Sequence, residues 1–421
     1  MKPIIFSLII CLLLISCKKE FEGVRPDAKL NKLKDEYAKQ LTGSKNGWIG
    51  YLYPKGGGSY TFKFNFDDKN RVKSFATIDN IKAGTSDESS YRLAADQVVS
   101  LYFDTYSYIH QLSDPDEQKS GGLRGGGLIS DFEFSIIETS NDTIKLVGNH
   151  NESALTLIRA KENEGDDYIR KAFLLNTKVE EINQLRNYYK TVKINNKDYG
   201  VIFNTETNNI AFYYEENSTF KSFITEYALT DKGIFLKDPL NAGGLAVKGF
   251  DNFIIDKTNN KITAKLNGTI DVDIFDQNKP VSFDKDAPRR MYLINKRYAS
   301  SFGFTIAGKK DALGIRTFPG FNFLLYIPRR YIDPLDALYI IFLGQFNLGP
   351  LFNTLYNDQG ILSFKVFSPL TGLTPGTEFE EIARKQNQIW FDPQGFYVFE
   401  TGDEQFDFVS VKDSKVWIRF N

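Results

Sequence analysis

The chain has 421 residues, with 52 Lys and Arg against 53 Asp and Glu and a formal net charge of −1 at pH 7. That balance gives no global field to attract nucleic acid or an anionic membrane, and the length favours two or three domains. Two cysteines and two histidines argue against a disulfide framework or a zinc–cysteinate centre, whereas 36 Phe and 22 Tyr suit pleated sheets.

Lys2 precedes an apolar run from Ile4 to Ile15, broken only by Ser7. Spanning a bilayer takes about 20 apolar residues, so this shorter run fits the core of a signal peptide over residues 1–16. It closes in Leu14-Ile15-Ser16-Cys17, which resembles a bacterial lipobox. Cys17 is therefore the expected lipidation site, and its acyl chains (palmitate-type) would hold the protein to the outer membrane, since two lipid signals suffice for stable anchoring. Cleavage would also remove Cys11. Residues 17–26 read as a lipid-anchored tether in which Glu20 and Glu22 loosely resemble a surface-export tag.

The first domain is expected over 27–162. Asp27 starts a helix whose apolar side is Leu30, Leu33, Tyr37 and Leu41, stopped by Gly43. The pattern then switches to alternation. "SYTFKFNF" puts Tyr60, Phe62, Phe64 and Phe66 on one face and Thr61, Lys63 and Asn65 on the other, as in a half-buried antiparallel strand. "DDKN" turns it back, and "DFEFSII", "TIKLVG" and "SALTLIRA" supply further strands. A second region, 163–421, opens with a helix carrying Val179, Ile182, Leu185 and Tyr189 inward and subdivides near 283. The capping box Thr377-x-x-Glu380 starts another helix, and "KVWIRFN" ends on a strand with Val416, Ile418 and Phe420 opposite Trp417 and Arg419. The fold class is mainly β: antiparallel barrel- or sandwich-like units with a few short helices. "FEFSIIETSNDTIKLVG" (132–148) echoes "FDNFIIDKTNNKITAKLNG" (250–268), and "YRLAADQVVSLYFD" echoes "YALTDKGIFLKD", which suggests a duplicated β-unit.

"NGWIGYLYPKGGGSYTFKFNFDD", "YFDTYSYIHQLSDPD", "GGGLISDFEFSI" and "DTIKL" resemble signature stretches of the domain-of-unknown-function family 4302 of Bacteroidota lipoproteins. The resemblance is densest over 45–160. It implies a surface location beside SusC/SusD-like uptake systems, which would be the partners, and it supplies no catalytic residues.

Chemistry is sparse. His110 and His150 stand forty residues apart and neither begins an H-E-x-x-H, so no zincin motif is present. No G-x-S-x-G elbow occurs, and no cofactor or metal is implied. "SGGLRGGGL" lacks the Lys-Ser/Thr of a phosphate cradle and reads, from about Ser113 to Gly127, as a mobile loop. "DPDE" reads as a turn.

"LYFDTYSYIHQLSDPD" (101–116) reads as a strand placing Tyr102, Asp104, Tyr106, Tyr108 and His110 on one side. Asp104 and His110 would then lie about 20 Å apart, too far for a dyad. Tyr106, Tyr108 and His110 become the candidate ligand-binding row for a sugar ring or an extended peptide, with a packed core face as the rival reading. Asp142-Thr143-Ile144 resembles a short O-glycosylation pattern and makes Thr143 the candidate acceptor. The expected function is a surface-exposed, non-catalytic accessory binding component of a nutrient uptake system for glycan, peptide or protein. The alternatives are a glycosidase using two spatially convened carboxylates, or a structural or adhesive surface protein.

Overall fold

The computed structural model describes residues 26–329, 335–369 and 374–421. The signal run, Cys17 and the tether up to residue 25 lie outside the described residues.

The architecture is mainly β, with two closed eight-stranded barrels followed by a ten-stranded open sheet. The first barrel is an antiparallel meander closed by pairing Trp48–Tyr53 with Ala154–Arg159, from Trp48↔Arg159 to Tyr53↔Ala154. Alternation drives it: Trp48, Leu52, Phe62, Phe64, Phe66, Leu101 and Phe134 fill the interior because every second side chain points inward. Helix Pro26–Thr42 lays Leu30, Leu33, Tyr37 and the buried Leu41 against that core. The Trp48 indole N–H donates to the Leu41 carbonyl at 2.9 Å, locking the helix end to the first strand.

The second barrel runs from Tyr189–Ile194 to Ile270–Gln277, closed by Ile274↔Val192 through Gln277↔Tyr189. The duplicated unit fits. The echoed hairpin is the sixth and seventh strands of each barrel, Glu133–Thr139 with Thr143–Gly148 and Leu245–Asp256 with Lys261–Leu266. The upstream echo falls on the fourth and fifth strands of each. Each barrel also follows a helix, here Tyr168–Glu180. This second helix is shorter at its C-terminal end than its periodicity predicts. Val179, Ile182 and Leu185 are all buried in the core, but a 3₁₀ turn takes over at Glu181–Gln184 and Tyr189 already belongs to a strand.

The strand Tyr60–Phe66 departs from its half-buried expectation. Thr61 and Lys63, on the outer face, are also buried, because that face meets the second barrel and its linker. The Thr61 hydroxyl donates to the Leu229 carbonyl at 2.6 Å and the Lys63 ammonium to the Glu164 carbonyl at 2.8 Å. Ile49, Tyr51, Tyr53 and Phe75 form an inter-barrel cluster with Tyr168, Ile169 and Ala228.

The third unit packs Trp390, from helix Glu378–Trp390, among Tyr326, Phe352, Phe364, Phe396, Phe408 and Phe420. Thr377 caps that helix, its hydroxyl accepting from the Glu380 N–H at 3.3 Å. The C-terminal strand Val416–Phe420 divides its faces as the sequence predicts. Ile418 and Phe420 enter the core, while Trp417 joins Tyr188, Tyr189 and Phe399 against the second barrel.

Lys190 lies in this second interface, buried, with its ammonium donating to the Asn187 and Tyr188 carbonyls at 3.3 and 3.1 Å. Burial pushes it down to about 8, partly opposed by Asp276. The folded value lies below that of an unfolded lysine, about 10.4, so between these values the unfolded chain binds the extra proton and stability rises with pH. Over the whole window that is about 3 kcal/mol. Above about pH 10 buried tyrosines such as Tyr51 and Tyr227, whose hydroxyls burial holds well above the usual range, reverse the trend. Urea midpoints are therefore expected to climb from pH 8 to 10 and then fall, and Lys190→Met should flatten the climb. An unchanged slope in that variant would assign the proton elsewhere.

Candidate functional site

The stretch 101–116 is a strand only as far as Phe103. The chain then turns, and Ser107 precedes a short helix, Tyr108–Gln111. Local side-chain bonds outcompete a longer ladder here. The Ser107 N–H donates to His110 Nδ1 at 3.2 Å, and His110 Nε2 lies 3.0 Å from the Phe103 carbonyl. A carbonyl can only accept, so Nε2 carries the proton and Nδ1 the lone pair. Both ring nitrogens are thus committed to backbone, and burial holds the imidazole below its ordinary value, in the neutral form.

The predicted row of Tyr106, Tyr108 and His110 is therefore corrected. Tyr108 turns away, its hydroxyl donating to the Thr85 carbonyl at 3.2 Å. Tyr106 and His110, four residues apart, stack instead at 5.8 Å, and Phe132 continues the stack at 4.5 Å from His110. Tyr106 remains 58% exposed. Its hydroxyl donates to Asp114 Oδ2 at 2.6 Å, and burial together with that carboxylate pushes it up to about 12. Ile109 and Leu112, one helical turn apart and both buried, are the sequence signal that could have revealed the helix.

The segment expected to be a mobile loop is folded back on itself. Asp116 caps Glu117–Ser120, and Leu123 bridges Gly127. A Cβ on Gly122 would stand 2.1 Å from the Gly127 carbonyl oxygen, so the close approach requires glycine.

Beside this fold lies an open cleft of about 570 Å³, bordered by Phe132, Ser130, Glu133, His150, Asn151 and Gly126. Asp131 builds its rim: the carboxylate accepts from the N–H groups of His150, Asn151 and Ser153 at 3.0, 2.8 and 3.0 Å. Ser130 is 2% exposed and its hydroxyl has no hydrogen-bond partner among the described residues. The fold thus brings His110 and His150, far apart in sequence, to the neighbourhood of one phenylalanine.

A second cleft, of about 510 Å³, lies between the barrels and was not foreseen. Asp231 and Asp251 line it, both raised from the ordinary carboxylate range by burial, with Asp231 adding to the effect on Asp251. Thr143 is half-buried at the start of its strand, its N–H donating to the Ser140 hydroxyl across the hairpin turn. Among the described residues no group of three or more His, Cys, Asp or Glu is placed to hold a metal ion.

The family model described as "Domain of unknown function (DUF4302)" matches residues 19–257. The chain belongs to this family. The match covers the first barrel, including the aromatic stack and its cleft, and ends within the second barrel at the end of strand Leu245–Asp256. No curated protein matches. Among solved structures, the DNA polymerase III beta subunit from Borrelia burgdorferi aligns at 10% identity over 94% of this chain and 97% of its own, with a TM-score of 0.13. The beta subunit from Streptococcus pyogenes gives 8%, 92%, 97% and 0.12, and the Helicobacter pylori beta clamp 10%, 93%, 97% and 0.12. Scores that low carry no argument about fold or partners.

Proposed function

We propose that this DUF4302 chain is a surface-exposed outer-membrane lipoprotein acting without chemistry of its own, as an accessory binding component of a SusC/SusD-type uptake system for a glycan or peptide nutrient. The observation that carries the binding role is the Tyr106–His110–Phe132 stack, whose Phe132 end lines a cleft that Ser130, with a buried hydroxyl unpartnered among the described residues, also lines. Aromatic faces and a few placed polar groups are what a sugar-sized ligand needs. The lipobox-like Ser16-Cys17 supports the anchor, and the family resemblance supports the transporter.

Stacking of a flat ligand ring on an aromatic side chain contributes about 1 to 3 kcal/mol. Tyr106→Ala is therefore expected to weaken binding of a responsive member of a malto-, cello- and manno-oligosaccharide panel at least tenfold. Melting should fall only moderately, since the exposed ring gives up its stacking on His110 and one hydrogen bond to the Asp114 carboxylate, together about 2 to 3 kcal/mol. Unchanged affinity would remove the stack from the binding role. In native membranes a SusC-like transporter should co-purify with the protein, and Cys17→Ala should release it from outer-membrane fractions. A variant that stays membrane-bound after a carbonate wash contradicts the anchor.

A further inference from the structure

The inter-barrel cleft joins residues from across the sequence. Its second-barrel wall is the turn carrying Asp231 and Lys232 together with the strand carrying Asp251. Two contacts bind the turn to that strand: the Gly233↔Asp251 register and the Asn252 N–H donating to the Lys232 carbonyl at 2.8 Å. Lys161 and Glu164 of the linker, with Tyr51 and Tyr168, form the opposite side.

Three features of this cleft point to a ligand. First, the side chains of Asp231, Asp251, Lys161, Lys232 and Lys248 border the same space, yet none closes an ion pair within 4.0 Å among the described residues. Neighbouring strands of the same barrel do pair their charges, Lys261 with Asp273 at 2.9 Å and Lys265 with Asp271 at 2.7 Å. The three lysines reach solvent, but Asp231 and Asp251 are only partly exposed and give up hydration without a bonded counter-ion. Second, Tyr51 and Tyr168 are 4% and 3% exposed and their hydroxyls lie 3.1 Å apart. One O–H donates to the other. The second proton has no acceptor among the described residues and stands at the cleft wall, available to a carbonyl. Third, the volume of about 510 Å³ falls in the range of small-molecule sites.

We propose that this cleft binds a small zwitterionic ligand, a short peptide with free termini. Asp231 and Asp251, which stand on one wall, meet its ammonium. Lys161, on the opposite side, meets its carboxylate, and the tyrosine pair donates to a peptide carbonyl. The proposal is independent of the first-barrel site.

The test is calorimetric titration of the full chain with trialanine, with N-acetyl-trialanine amide and with maltotriose. Trialanine should bind, and capping its termini should weaken binding at least tenfold. Asp251→Asn and Tyr168→Phe, each nearly isosteric, should each weaken trialanine binding at least fivefold with melting temperatures near that of the parent. Saturating oligosaccharide should leave the trialanine isotherm unchanged if the two clefts are separate. Absence of trialanine binding at millimolar concentration, equal binding of the capped peptide, indifference to Asp251→Asn, or competition by oligosaccharide would each overturn the proposal.

Discussion

Asp407→Ala is expected to destabilise the protein by about 3 to 5 kcal/mol, the cost of leaving a buried charge without its counter-ion. Asp407 is fully buried and Arg419 5% exposed. The pair is bidentate, Nε to Oδ1 at 2.9 Å and Nη2 to Oδ2 at 2.6 Å, and the Tyr188 hydroxyl donates to Oδ2 at 2.9 Å. Removing the carboxylate leaves the guanidinium, among the described residues, with the Phe203 carbonyl at 3.3 Å from Nη2 and the Trp417 ring 5.1 Å from its carbon. The site bridges the second barrel and the third unit, so both should loosen together. The triple replacement Asp407→Leu, Arg419→Met and Tyr188→Phe removes the three polar side chains, while the Phe203 carbonyl keeps the Asn183 amide as donor at 3.1 Å. It should recover most of the loss, because desolvation opposes the native pair. Urea denaturation followed by tryptophan fluorescence reads both. A loss below about 1 kcal/mol for the single variant would mean that water reaches the pair, as it does at surface ion pairs.

Trp390→Ala is expected to cost about 3 to 5 kcal/mol by opening a cavity at the centre of the third unit. The indole is fully buried, stacked on Phe364 at 4.1 Å and 7°, with Phe352, Tyr326 and Phe420 around it. Its N–H has no hydrogen-bond partner among the described residues. An unsatisfied buried donor carries a penalty of about 1 to 3 kcal/mol, so Trp390→Phe should lose packing but shed that penalty. The phenylalanine variant is expected within about 1 to 2 kcal/mol of the parent. If it falls as far as the alanine variant, the N–H has a partner in solution and the offset disappears.

The barrels were legible because one face of each strand must enter an interior, and that necessity writes a period of two into residues 60–66, 143–148 and 261–266. The duplicated hairpins were legible for the same reason. The outer faces were not. Thr61, Lys63 and Tyr51 carry no local sign that a second barrel will cover them, since polar and aromatic side chains serve equally on a solvated face. At residues 101–116, alternation and helical spacing overlap over so few residues that both fit. The Ser107–His110 bonds and the burial of Ile109 and Leu112 decide for the helix.

Sequence alone determined the sheet-forming composition, the inward faces, the helix starts and a single lipobox-like cysteine, all features encoded by neighbours within a few positions. Only the tertiary structure decided what His110 does: closing the chain back on Phe103 commits both of its nitrogens and turns a candidate ligand-binding group into the middle ring of a stack. It also decided the inter-barrel cleft. Tyr51, Lys161, Tyr168, Asp231 and Asp251 are scattered over two hundred residues and each is ordinary in its own segment. Their chemistry exists only because one barrel packs on the other, withdrawing water from two carboxyls that a hairpin turn and a strand would otherwise leave solvated.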